Sequence, residues 1–127
     1  MIQTLLLLED EEVLGRVYSR SLREAGFTVT WLKTIKDVQQ FMEESSADGI
    51  ILDQGIKEEE RSGMSLIPVL KKKFPKAKIA MLSNYSAFDI GDQAMKAGAD
   101  AYWVKLNTTP SSLVRNLQEL LLEKHRK

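Results

Sequence analysis

The chain has no cysteine, a single histidine and no excess of charge of either sign. Without cysteine there are no disulfide staples and no thiolate metal sites, which fits a reducing compartment. Basic and acidic residues balance at 18 each, so nothing electrostatic favours nucleic acid or an anionic membrane surface. No apolar run approaches the roughly 20 residues that span a bilayer. Leu5 to Leu8 is too short for a signal-peptide core and runs straight into acids. The expected address is the cytoplasm. His125 stands in a charged tail with Lys124, Arg126 and Lys127, where basic residues complement a helix C-terminus more readily than they bind a metal or catalyse. Repeats, low-complexity segments and internal linkers are also missing. At 127 residues the chain is expected to be one domain, large enough to bury an ordinary core.

What is present is alternation. Ile2 to Leu8 is nearly all aliphatic. Leu14, Val17, Tyr18, Ser21, Leu22 and Ala25 then recur at helical spacing, and Gly26 ends that helix. Phe27 to Leu32 is β-branched and aromatic and reads as a strand. Thr34 can cap a second helix with Ile35, Val38, Phe41 and Met42 inward. Ala47 to Asp53 reads as a third strand and Gln54 to Arg61 as a polar loop. Ser62 to Phe74 reads as a helix that Pro68 kinks or starts late. Lys78 to Leu82 is a fourth strand, and Ser86 to Ala97 a helix ended by Gly98. Tyr102 to Val104 is a fifth strand. Thr109-Pro110, a cap followed by a first-turn proline, opens a last helix with Leu113, Leu117, Leu120 and Leu121 on one face. Five βα units in alternation predict an α/β fold, a parallel sheet with helices on both faces. Right-handed crossovers favour the doubly wound, flavodoxin-like order 2-1-3-4-5.

The chemistry stands at the ends of the apolar runs. The first stops at Glu9-Asp10-Glu11-Glu12, the third at Asp53 and the fifth at Lys105. In an open parallel sheet the functional crevice lies at the carboxyl ends of the strands, so these acids and the lysine are expected to meet on one edge. Carboxylates brought together without partners repel, and one is driven to take a proton. A divalent cation and a lysine remove that conflict, which points to an acidic, Mg²⁺-type pocket with one fixed positive charge.

LLLLED at the first strand, IILD at the third, MLS at the fourth and GADAYWVK at the fifth stand in order. Together they resemble the receiver domain of two-component response regulators, over the whole chain. The resemblance implies that Asp53 is the nucleophile that takes a phosphoryl group from a histidine kinase or phosphotransfer protein. It implies that Asp10 binds Mg²⁺, with Glu9 acting directly or through water and with Asp53 and the Gly55 carbonyl completing the protein ligands. Lys105 would pair with the phosphoryl group, Ser83 would hydrogen-bond one of its oxygens, and Tyr102 would be the rotating aromatic switch. The switched face would comprise the fourth helix, fifth strand and fifth helix. It would contact a downstream target or output domain or form a phosphorylation-dependent homodimer. Such a protein catalyses its own phosphorylation and dephosphorylation and turns over no external substrate. The chain closes with its last helix, so no output domain is expected within it. That fits a stand-alone receiver and equally the receiver of a longer regulator.

The match departs from the family's usual pattern at four places. Lys57 stands where a proline is usual, and Gly63 follows Asp53 by ten positions, making the loop about two residues longer. Asn84 follows Ser83 where a small residue is usual. Leu106 follows Lys105 where a proline is usual, often through a cis bond; a trans bond is expected here. Pro110 comes about one residue late. Asn84 and Leu106 favour the alternative of a pseudo-receiver, a protein-interaction module not regulated by phosphorylation. Intact Glu9, Asp10, Asp53, Ser83 and Lys105 oppose it. Enzymes of related topology fit less well. A haloacid-dehalogenase-type phosphatase needs an acid at Gly55. A flavodoxin needs a Ser/Thr-rich phosphate cradle where Glu9 to Glu12 stand.

Overall fold

The structure, a computed structural model, describes residues 2–53, 63–84 and 91–123. Five strands form one parallel sheet: β1 (Thr4–Leu8), β2 (Thr28–Leu32), β3 (Gly49–Asp53), β4 (Lys78–Ser83) and β5 (Ala101–Val104). Their order is β2-β1-β3-β4-β5, as the alternation predicts. The helices are α1 (Glu12–Glu24), α2 (Ile35–Glu44), α3 (Ile67–Lys73), α4 (Asp92–Ala97) and α5 (Pro110–Glu123).

Period-two alternation along the strands divides the core into two layers. Leu6, Leu8, Ile50, Leu52, Ile79 and Met81 pack with Ile35 and Val38 of α2, Ile67 and Leu70 of α3 and Ala94 of α4. Leu5, Leu7, Ile51, Ala80 and Leu82 pack with Tyr18 and Leu22 of α1 and with Leu113, Leu117, Leu120 and Leu121 of α5. The three central strands are buried on both faces, which is why their sequences read as unbroken aliphatic runs.

The helix boundaries follow local chemistry. The Thr34 hydroxyl accepts from the Asp37 amide at 3.0 Å and caps α2. Thr109 and Ser112 cap each other at the start of α5: the Ser112 amide donates to Thr109 Oγ1 at 3.1 Å and the Thr109 amide to Ser112 Oγ at 2.8 Å. Gly26 and Gly98 hold φ of 103° and 118°, the left-handed conformation that closes a helix with little strain only for glycine.

Some boundaries differ from expectation. A 3₁₀ turn, Gly63–Leu66, precedes α3, so Pro68 falls in the first turn, where its missing N–H costs no hydrogen bond. The third strand starts at Gly49, the fourth extends to Ser83 and the fifth starts at Ala101. In α1 the buried stripe is Gly15, Tyr18, Ser19 and Leu22, while Val17 and Ala25 face solvent. The stripe is centred on Gly15 because the Trp31 ring packs there. The polar loop 54–61, Ser86–Ile90 of the expected fourth helix, and His125 lie outside the described residues. Among the described residues no helix is long and apolar enough to cross a membrane.

Candidate functional site

Register decides which side chains meet. Leu8 pairs with Leu52, Asp53 with Leu82, and Ser83 with Val104. The residues that follow β1 and β5 therefore lie level with the ends of β3 and β4. Alternation then sorts them by face. Glu9, Asp53 and Lys105 continue the series Leu5-Leu7, Ile51 and Trp103 on the α1/α5 side. Ser83 and Tyr102 belong to the side of α2, α3 and α4.

On the first side an ion cluster closes. Lys105 Nζ lies 3.1 Å from Glu9 Oε1 and 3.2 Å from Asp53 Oδ2, and all three side chains are at most 10% exposed. Carboxylate oxygens of Glu9, Asp10 and Asp53 come within 4.8 Å of one another. Glu9 and Asp53 are buried and Asp10 is half-buried. Among the described residues one ammonium thus pairs with two of three clustered carboxylates, a local excess of negative charge. Burial first, then the Asp53 charge, pushes the Glu9 carboxyl up to about 7, against the pull of Lys105. Burial alone would lower the Lys105 ammonium; the Asp53 and Glu9 carboxylates outweigh it, and the net shift is upward. Lys105 is therefore a permanent cation at neutral pH.

The residues fit a hard divalent cation. Glu9 Oε1 is buried and makes no hydrogen bond among the described residues, although it lies at ion-pair distance from Lys105. A buried carboxylate oxygen with only the Lys105 ammonium beside it among the described residues, next to two further carboxylates, is a donor set of the kind Mg²⁺ takes, with water filling the remaining positions. Gly55, the expected carbonyl ligand, lies outside the described residues.

Lys105 is placed without a proline behind it. Lys105–Asn107 form a 3₁₀ turn. The Thr108 amide closes it by donating to the Lys105 carbonyl at 3.1 Å. The Thr108 hydroxyl donates to the Val104 carbonyl at 2.7 Å, and the Tyr18 hydroxyl reaches from α1 to the Thr108 carbonyl at 3.3 Å. Burial raises the Tyr18 phenol above its ordinary value, which keeps that donor protonated. The described residues contain no cis peptide bond, and Leu106 is 86% exposed. The different loop expected from Leu106 is thus a short turn pinned by Thr108 and Tyr18.

Ser83 is buried at the end of β4 and the Asn84 side chain after it is exposed. Tyr102 is half-buried against the α2–α4 layer. Sequence reasoning missed Tyr18, Thr108 and Trp31, whose indole N–H donates to the Glu9 carbonyl at 2.9 Å. The one available signal was Gly15, a glycine inside a helix, which marks a close approach.

Residues 5–118 match the model of the response regulator receiver domain. An NtrX-like response regulator of Rickettsia typhi is 24% identical over 97 residues, covering 76% of this chain and 20% of that protein. The matched region thus spans about a fifth of that relative's length. A CheY-like receiver domain of Methanospirillum hungatei superposes with a TM-score of 0.89 at 21% identity, covering 99% of this chain and 98% of its own. A response regulator of Burkholderia pseudomallei, solved with a phosphorylated aspartic acid, a calcium ion and citrate, gives a TM-score of 0.81 at 26% identity, covering 97% of this chain and 73% of that one.

Proposed function

The chain belongs to the response regulator receiver domain family, and from that premise we propose that it accepts a phosphoryl group on Asp53 in a Mg²⁺-dependent reaction. The observation that carries this reading is the placement of Asp53. It ends a central strand, it is buried, Lys105 stands 3.2 Å away, and two further carboxylates gather beside it. The donor is a phosphohistidine of a histidine kinase or phosphotransfer protein. An Asp53 carboxylate oxygen attacks phosphorus, the P–N bond to the histidine breaks, and its electron pair returns to the imidazole. A carboxylate suffices as nucleophile because this transfer asks for positioning and charge neutralisation.

Glu9, Asp10 and Asp53 would hold Mg²⁺, with the Gly55 carbonyl as the further ligand that the family resemblance implies, and the ion would supply positive charge to the phosphoryl oxygens. The Lys105 ammonium moves from the Asp53 carboxylate to a phosphoryl oxygen once the acid has become an acyl phosphate. The Ser83 hydroxyl donates to another. Tyr102 follows Ser83 on the α2–α4 side and carries the change to α4, β5 and α5, the face offered to a target, an output domain or a second copy. Regulation of this kind places the protein in the cytoplasm. The phosphorylated aspartic acid and calcium ion of the Burkholderia relative support the assignment by analogy.

Intact-mass analysis after incubation with acetyl phosphate and Mg²⁺ tests the reading. One added phosphoryl mass is expected, lost in Asp53→Asn. Persistence of that mass in the variant moves the acceptor elsewhere. No uptake by the wild type, from small donors or kinases, leaves the pseudo-receiver reading.

A further inference from the structure

We infer that Trp31 is a positioning residue for the acidic edge: its indole, seated over Gly15, holds the Glu9 carbonyl and so sets the turn that presents Glu9 and Asp10. The Glu9 backbone is gripped at both ends. Its amide donates to the Leu32 carbonyl at 3.0 Å, continuing the ladder beyond Leu8. β2 ends at Leu32, so the donor to the Glu9 carbonyl comes from a side chain, the Trp31 indole at 2.9 Å. One residue on, the Glu11 amide donates to Glu9 Oε2 at 3.2 Å. The same carboxylate meets Lys105 through its other oxygen. The indole therefore fixes the peptide from which both acids project.

The ring itself has little freedom. A Cβ on Gly15 would lie 2.2 Å from Trp31 Cε2 and Cζ2 and 2.5 Å from Nε1. Only glycine lets α1 pass this close, and the notch fixes the direction of the N–H. Lys33 Nζ stands 5.1 Å from the ring centroid and pairs with Glu12 in the first turn of α1. Trp31 is thus enclosed between α1 and the Lys33–Glu12 pair, although β2 is an edge strand.

The consequence for Mg²⁺ rests on the receiver reading; the consequence for the turn does not. Trp31→Phe keeps an aromatic ring and deletes the donor. In the metal-free full chain, amide exchange at Glu9 and Glu11, whose N–H groups donate to Leu32 and to the Glu9 carboxylate, is expected to accelerate about tenfold, the ratio that loss of one hydrogen bond brings. Amides of β3 and β4 keep their wild-type rates. Mg²⁺ affinity, followed by NMR titration, is expected to weaken about fivefold, as a preorganised donor set loses its preset geometry. Gly15→Ala, which displaces the ring and leaves the donor in place, is expected to reproduce both effects, so the result does not hang on one variant. Unchanged exchange at Glu9 and Glu11, or acceleration spread evenly over the sheet, overturns the positioning role. So does a Mg²⁺ affinity within about twofold of wild type beside a wild type that binds the ion. A wild type that binds no Mg²⁺ counts against the receiver reading instead, and the exchange rates alone then decide for or against Trp31.

Discussion

On the α1/α5 side of the sheet, the carboxyl edge carries two buried carboxylates, Glu9 and Asp53, and the half-buried Lys105, braced by hydrogen bonds from distant elements. Tyr18 of α1 holds the turn after Lys105, and Trp31 of β2 holds the turn at Glu9. On the α2–α4 side, the same edge carries a hydroxyl, Ser83, and a half-buried ring, Tyr102. The difference has a physical reason. Charges taken out of water need their partners held at fixed distance, which the bonds from Tyr18 and Trp31 help to secure on the ionic side. A hydroxyl and an aromatic ring bury at lower cost, so the neutral side can rearrange without stranding a charge. The sheet thus sets the ionised groups on one face of this edge and the neutral hydroxyl and ring on the other.

Removing the one cation tests the contrast most severely. Lys105→Met leaves Glu9 and Asp53 facing each other, and the metal-free protein is expected to lose about 3 kcal/mol at pH 8. The loss shrinks at pH 5, where one acid takes a proton. Urea unfolding at both pH values measures this. The counterpart on the neutral side, Tyr102→Phe, is expected to cost less than about 1.5 kcal/mol at either pH. Equal losses for the two variants would erase the distinction between the faces.

The raised Glu9 carboxyl gives a second difference between the sides. Its folded value of about 7 stands above the ordinary 4.5. Between those values the folded protein holds more protons than the unfolded chain. Stability without metal therefore falls as pH rises from about 4.5 to 7, by an amount on the order of 1–3 kcal/mol. Glu9→Gln is expected to flatten that slope. Mg²⁺ is expected to do the same, since a cation favours the ionised acid and draws its folded value back toward 4.5. A slope that survives in Glu9→Gln would assign it to another group.

Gly15→Ala sharpens the reading of the brace. In an open helix the substitution stabilises by up to about 1 kcal/mol. Here it is expected to destabilise by about 1–3 kcal/mol, because the added methyl meets the Trp31 ring. In a Trp31→Ala background the sign should reverse. The smallest effects belong to the turn after Lys105. Tyr18→Phe is expected to cost about 1 kcal/mol through the lost bond to Thr108. Leu106→Ala, at an 86% exposed position, should stay within about 0.5 kcal/mol. Denaturant midpoints for the pair would show whether Tyr18 or the residue after Lys105 holds the loop.

The amino-acid sequence by itself determined the alternation of five apolar strands with amphipathic helices. Through it came the sheet order and the edge on which Glu9, Asp10, Asp53, Ser83 and Lys105 fall. That information is local: runs, periods, caps such as Thr34 and Thr109, and helix-ending glycines such as Gly26 are set by neighbours a few residues away. Only the tertiary structure decided the stripe of α1, where Val17 turns outward and Gly15 inward, because the Trp31 ring arrives from another strand. It alone decided which face each group takes at the edge and how Lys105 is held without a proline. Those outcomes depend on contacts between residues as far apart as Tyr18 and Thr108. Periodicity along the chain carries no record of such contacts, since they arise when elements pack and a buried carbonyl takes whichever donor the fold brings within reach.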